Sequence, residues 1–142
     1  MKIPRSIPRF KFLMMAAVGL LAVVWPALEG NPALELLLAA VLMSVGIFYI
    51  ITILLGGRTM TAGQGIALTT VAGLSFGAGL VLLTIFLMAL KTGLHAHGPE
   101  YTPQEITWVW RQLPLWAGVG GLAGLGVGLL AAGRRMATDR DG

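Results

Sequence analysis

Between Lys11 and Lys91 the chain carries three charged residues, Glu29, Glu35 and Arg58. A soluble domain needs a charged shell to face water, and about a quarter of its residues are ordinarily charged. Here 11% of 142 residues are charged and 56% are hydrophobic. The few charges fall between apolar blocks long enough to cross a bilayer, which marks them as the points where the chain meets water. The pattern is that of an all-α, multi-pass membrane protein forming a single four-helix transmembrane domain over residues 1–142.

The blocks set the expected spans at about 12–28, 33–55, 66–90 and 115–133. The first is short, and a basic segment before an apolar stretch is also the pattern of a signal peptide. No small-x-small cleavage site follows it, so retention as a first helix is the expectation. Glu29-Gly30-Asn31-Pro32 is a tight turn, with Pro32 or the next residue opening the second helix. Glu35 then stands in a first helical turn, favoured by the helix dipole and close to lipid headgroups. Thr61-Ala62-Gly63-Gln64-Gly65 is a small-residue linker, and Lys91-Thr92-Gly93 closes the third helix.

Residues 91–114 form the one substantial extramembrane loop. Within it Thr102-Pro103-Gln104-Glu105 matches a capping box, with Thr at N-cap, Pro at N1 and Glu at N3. It predicts a short interfacial helix over about 103–112 that bends at Leu113-Pro114. A polar tail covers 134–142. The N-terminus, the 56–65 loop and the tail hold eight of the ten basic residues, whereas four of the six acids (Glu29, Glu35, Glu100, Glu105) lie on the opposite side. Both termini are therefore expected in the cytoplasm, N-in and C-in, with a bacterial inner membrane the simplest setting. Basic residues placed at membrane ends point to orientation and not to nucleic acid.

Helices in lipid associate through close backbone approach and weak polar contacts, because no hydrophobic drive acts between them. Gly120, Gly124 and Gly128 lie at i, i+4 spacing on the fourth span, and Gly73 and Gly77 repeat the pattern on the third. Two readings stand side by side: these faces pack on each other, or one of them docks a helix of another protein. Glycine covers more of the fourth span than one neighbour needs.

Candidate chemistry is sparse. His95, His97 and Glu100 form a compact segment able to supply three metal ligands, a weak and accessible site. The bland alternative is hydrogen bonding to loop backbone, headgroups or a partner. Both histidines sit in one loop, so no pair on facing helices exists to hold a haem, and no cofactor is predicted. The span hydroxyls Ser44, Thr52, Thr69, Thr70, Ser75 and Thr84 are expected to bond carbonyls on the preceding turn. Trp108, Trp110, Arg111 and Trp116 suit an interface facing lipid or a partner, as an aromatic belt with Arg111 reaching phosphates or as the lining of a quinone or lipid pocket.

Cysteine is absent, no serine stands near a histidine, and Gly118 to Gly128 lies in an apolar span and not after a strand, so no enzyme class is supported. The sequence points to a non-catalytic accessory subunit of a larger integral-membrane complex, of which respiratory or photosynthetic assemblies are examples. Its partners would be other membrane subunits and lipids, joined through glycine-mediated packing. The alternatives are a small homo-oligomeric transporter or channel, and an interfacial protein binding metal, quinone or lipid through residues 95–111. The span from Lys91 to Trp116 is where specificity is expected to reside.

Overall fold

The structure, a computed structural model, describes residues 8–25, 31–94 and 100–138. The described chain is almost wholly helical: α1 (Pro8–Val24), α2 (Pro32–Leu55), α3 (Ala62–Leu94), α4 (Pro103–Arg111) and α5 (Leu113–Thr138). Among the described residues three stretches are long and apolar enough to cross a membrane: Pro32–Leu55, Ala62–Leu94 and Pro103–Arg134. Large apolar side chains cover the outside of this bundle, among them Leu37, Ile53, Val71, Phe86, Leu122 and Leu130, each more than half exposed. That inside-out pattern is stable only where the surroundings are themselves apolar.

Local chemistry sets the helix ends. Asn31 caps α2 in an extended conformation (φ −133°, ψ 115°), its side chain accepting from the Ala33 amide at 2.9 Å, and Pro32 fills the first helical position. After α2 the chain turns through Gly57, whose φ of 84° lies in the left-handed region that glycine enters without penalty.

Several boundaries differ from expectation: α3 continues to Leu94, past the closure expected at residues 91–93, and α5 continues to Thr138, so the first residues of the expected polar tail are helical. The segment 62–65, read above as a linker, is the first turn of α3. Just before it, Thr61 and Gln64 satisfy each other's backbone amides: Gln64 N–H donates to Thr61 Oγ1 at 3.3 Å, and Thr61 N–H donates to Gln64 Oε1 at 3.1 Å. This is the capping-box geometry with Gln in the acceptor role. Helix α5 likewise starts at Leu113, with Pro114 inside its first turn, where a missing N–H costs nothing.

Helices α2 and α3 form an antiparallel hairpin with a core of Leu38, Ala39, Leu80 and Leu87, joined by Trp25 from the end of α1. Helix α5 returns antiparallel along α3. A Cβ on Gly73 would overlap the Gly120 carbonyl. One on Gly77 would overlap the Trp116 carbonyl, one on Gly124 the Thr69 carbonyl, and one on Gly128 the Thr69 side chain and Ile66 backbone. The two helices therefore touch backbone to backbone along this seam. Dispersion between close backbones, and not burial of apolar area from water, holds such a contact in lipid.

The span hydroxyls of Ser44, Thr52, Thr69, Thr70 and Thr84 donate to carbonyls on the preceding turn, at 2.7–3.1 Å. They are satisfied within their own helices.

Candidate functional site

Glu35 is the fourth residue of α2 and Lys91 lies one turn before the end of α3. The antiparallel hairpin brings these two helix ends together. Both side chains are fully buried (0% exposed). Lys91 Nζ stands 3.5 Å from Glu35 Oε1 and 3.8 Å from Glu100 Oε2. Trp25 donates its indole N–H to Glu35 Oε2 at 2.6 Å, and Tyr101 donates its hydroxyl to Glu35 Oε1 at 2.7 Å. The ammonium also lies 5.9 Å from the centroid of the Trp25 ring, within range of a cation–π attraction.

This cluster corrects two readings of the sequence. Glu35, expected close to headgroups, has its side chain turned wholly into the protein, and Lys91 is more than a cation at a helix end. Each is enclosed by protein and compensated by the other, as buried charges must be. Four chain segments meet here: the end of α1, the start of α2, the end of α3 and the strand of chain before α4. Tyr101 is 3% exposed, and burial together with its bond to the Glu35 carboxylate pushes its phenol well above the ordinary range. It therefore remains a proton donor throughout neutral and mildly alkaline conditions. The arrangement is a clasp: its polar contacts tie four separate segments of the chain together.

Beyond the clasp, α4 begins with the expected capping box. Glu105 N–H donates to Thr102 Oγ1 at 3.3 Å, and the Glu105 carboxylate accepts from the Thr102 amide at 2.7 Å. One face of α4 turns Val109 inward against Val81, Met88 and Tyr101. The helix leaves Trp108 (62% exposed), Trp110 and Arg111 outside. Trp116 lies a turn further on in α5, partly exposed, with its backbone against Gly77.

Under α4 runs an apolar groove of about 500 Å³. Its walls are the first turns of α2 (Ala33, Leu36), α3 at Val81 and Thr84, and the α4–α5 corner at Val109, Leu115 and Trp116. Trp108 forms the ridge between this groove and a second, shallower depression of about 380 Å³ lined by Pro103, Gln104, Thr107 and Arg111.

The structure brings Gly73, Gly77, Gly120, Gly124 and Gly128 into one seam between α3 and α5. It leaves Trp108, Trp110 and Arg111 exposed on α4, with Arg111 on the Trp108 side and Trp110 on the other flank of Val109. His95 and His97 lie outside the described residues, and Glu100 faces the Lys91 ammonium. Among the described residues no group of three His, Asp or Glu side chains is placed to hold a metal ion.

The residues that sequence reasoning missed are Trp25, Glu35, Lys91 and Tyr101. A signal was present: a carboxylate opening one long apolar helix and an ammonium closing the next must meet if the pair is an antiparallel hairpin. No protein-family model matches this chain, and no curated protein or solved structure matches it either.

Proposed function

We propose that this chain is a non-catalytic structural subunit of a larger integral-membrane assembly and that it acts by presenting helix faces to partner subunits. The observation that carries this reading is the division of glycines on α5. Gly120, Gly124 and Gly128 are occupied by α3, and Gly121 meets the Leu74 side chain. Gly118, Gly126 and Gly133 have open space beside them and share the outer surface with the exposed Leu122 and Leu129. A bundle that packs only on itself needs the first set and has no use for the second. A partner helix needs just such a small-residue face to approach closely.

The clasp supports the same reading. Its ionisable groups are tied to one another across segments, which suits holding a shape better than passing protons or ions.

In this proposal α1, 17 residues or about 26 Å long, is the first of four spans. The basic N-terminus, the Arg58 loop and the Arg134–Arg135 tail face the cytoplasm of a bacterial inner membrane. The clasp and α4 face the other side. Respiratory and photosynthetic complexes are examples of suitable hosts.

The test is Gly126→Leu in the protein extracted from its native membrane in mild detergent. The wild type is expected to elute with another integral-membrane protein. The variant is expected to elute alone with unchanged helix content. A wild-type protein that elutes as a lone monomer refutes the proposal, and one that elutes only with copies of itself favours the homo-oligomeric alternative.

A further inference from the structure

We infer that the groove under α4 and the depression beside it together form a binding site for one acidic phospholipid, with an acyl chain in the groove and the phosphate at Arg111. The two cavities adjoin and share Trp108, yet they differ in chemistry. The groove is walled by Ala33, Leu36, Val81, Leu115 and Trp116. Of its polar lining residues, Thr84 donates its hydroxyl to the Leu80 carbonyl at 2.7 Å, the Asn31 side chain accepts from the Ala33 amide at 2.9 Å, and Gln112 adds one amide to the wall. A volume of about 500 Å³ lies within the range of small-molecule pockets, and a hydrocarbon chain satisfies its walls.

The depression on the other side of Trp108 has Gln104, Thr107 and Arg111 around it. The Thr107 hydroxyl donates to the Pro103 carbonyl at 2.8 Å. Arg111 is exposed, and among the described residues no carboxylate pairs with it. Glu105, the acid nearest to it on α4, is held in the capping box. A guanidinium beside an amide is suited to a phosphate oxygen pair, and Arg offers the planar fork that Lys lacks.

The occupant must therefore carry a long apolar chain and a negative head at adjoining positions. A quinone has the first without the second, and free phosphate has the second without the first. Charge complementarity selects the acidic lipid over a neutral one, because Lys91, the other cation at this end among the described residues, already faces Glu35 and Glu100.

The test is native mass spectrometry on the full chain in detergent, titrated separately with phosphatidylglycerol and phosphatidylcholine of identical acyl chains. The wild type is expected to retain one phosphatidylglycerol about tenfold more tightly than phosphatidylcholine, the value of one good charge-assisted contact. Arg111→Gln should bring phosphatidylglycerol down towards the phosphatidylcholine level and weaken phosphatidylcholine much less, because choline already offsets the charge of its phosphate. Leu36→Trp, which fills the groove, should weaken both lipids. If a thermal melt shows that Leu36→Trp fails to fold, the exposed Trp108→Ala takes its place, with the same weakening expected. Equal retention of the two lipids by the wild type, an undiminished preference in Arg111→Gln, or unchanged binding in the groove variant overturns the inference.

Discussion

The two halves of α3 are held by opposite means. Toward α5 the contact contains no charge and almost no side chain: glycines on each helix admit the other's backbone. Toward α2, at the C-terminal end of α3, the contact is made by the longest polar side chains available, with Lys91, Glu35, Tyr101 and Trp25 reaching between segments. The seam gains from having nothing in the way, so any added atom harms it. The clasp gains from mutual compensation, so any removed atom harms it. The contrast shows how one helix in an apolar solvent can be fixed at two levels without a hydrophobic drive at either.

The largest effect expected from breaking this contrast is in the seam. Gly77→Val puts two methyl groups where the Trp116 carbonyl already lies, and no rotamer relieves a clash with backbone. The loss should reach about 5 kcal/mol or abolish the fold, in the range reserved for gross steric conflict. The same change at Gly126, which meets nothing within 4 Å, should leave the melting transition in place. Equal destabilisation at both sites would mean that the seam is no special contact.

The clasp comes next and is asymmetric. Lys91→Met leaves two carboxylates, Glu35 and Glu100, facing each other's charge without their ammonium, which should cost about 3–5 kcal/mol. Glu35→Gln leaves Lys91 beside Glu100 and keeps an acceptor for one of its two donors, so it should cost less, about 1–3 kcal/mol. Detergent-unfolding titrations of the two variants decide the order, and a larger loss in Glu35→Gln would place the main compensation elsewhere.

The smallest effect concerns pH. Tyr101 has its phenol raised in the folded state above the unfolded value of about 10. A raised value means that the folded state holds the proton more tightly. The stability this gives is complete below about pH 10 and declines as pH rises beyond it. Between pH 9 and 11 the wild type should lose melting temperature, and Tyr101→Phe should lose less of it. Identical slopes would remove Tyr101 from the clasp's energetics.

Much of this was legible in the sequence, for physical reasons. Apolar run length marks helices in lipid because backbone groups have no other partners there, and Pro32 at a helix start and the capping box at Thr102 carry their own chemistry. The positions of Gly73, Gly77, Gly120, Gly124 and Gly128 on two helical faces were also readable. Which surface meets them was not, since spacing defines a face and not its neighbour. The linker at 62–65 was misread because glycine is a poor helix former, while the Thr61–Gln64 reciprocal cap, which overrides that preference, was overlooked. The clasp escaped because its contacts join residues 9 to 66 positions apart, and each residue alone has an ordinary explanation at a membrane end.

The central claim is that the outward face of α5 contacts another protein in the membrane. A photo-crosslinking amino acid at Leu122, which is 71% exposed beside the open glycines, tests it in intact cells. The account predicts a discrete crosslinked product containing this chain and a second integral-membrane protein, absent when the label sits at the exposed Ile53 on α2. Crosslinks to lipid alone at Leu122 would contradict it.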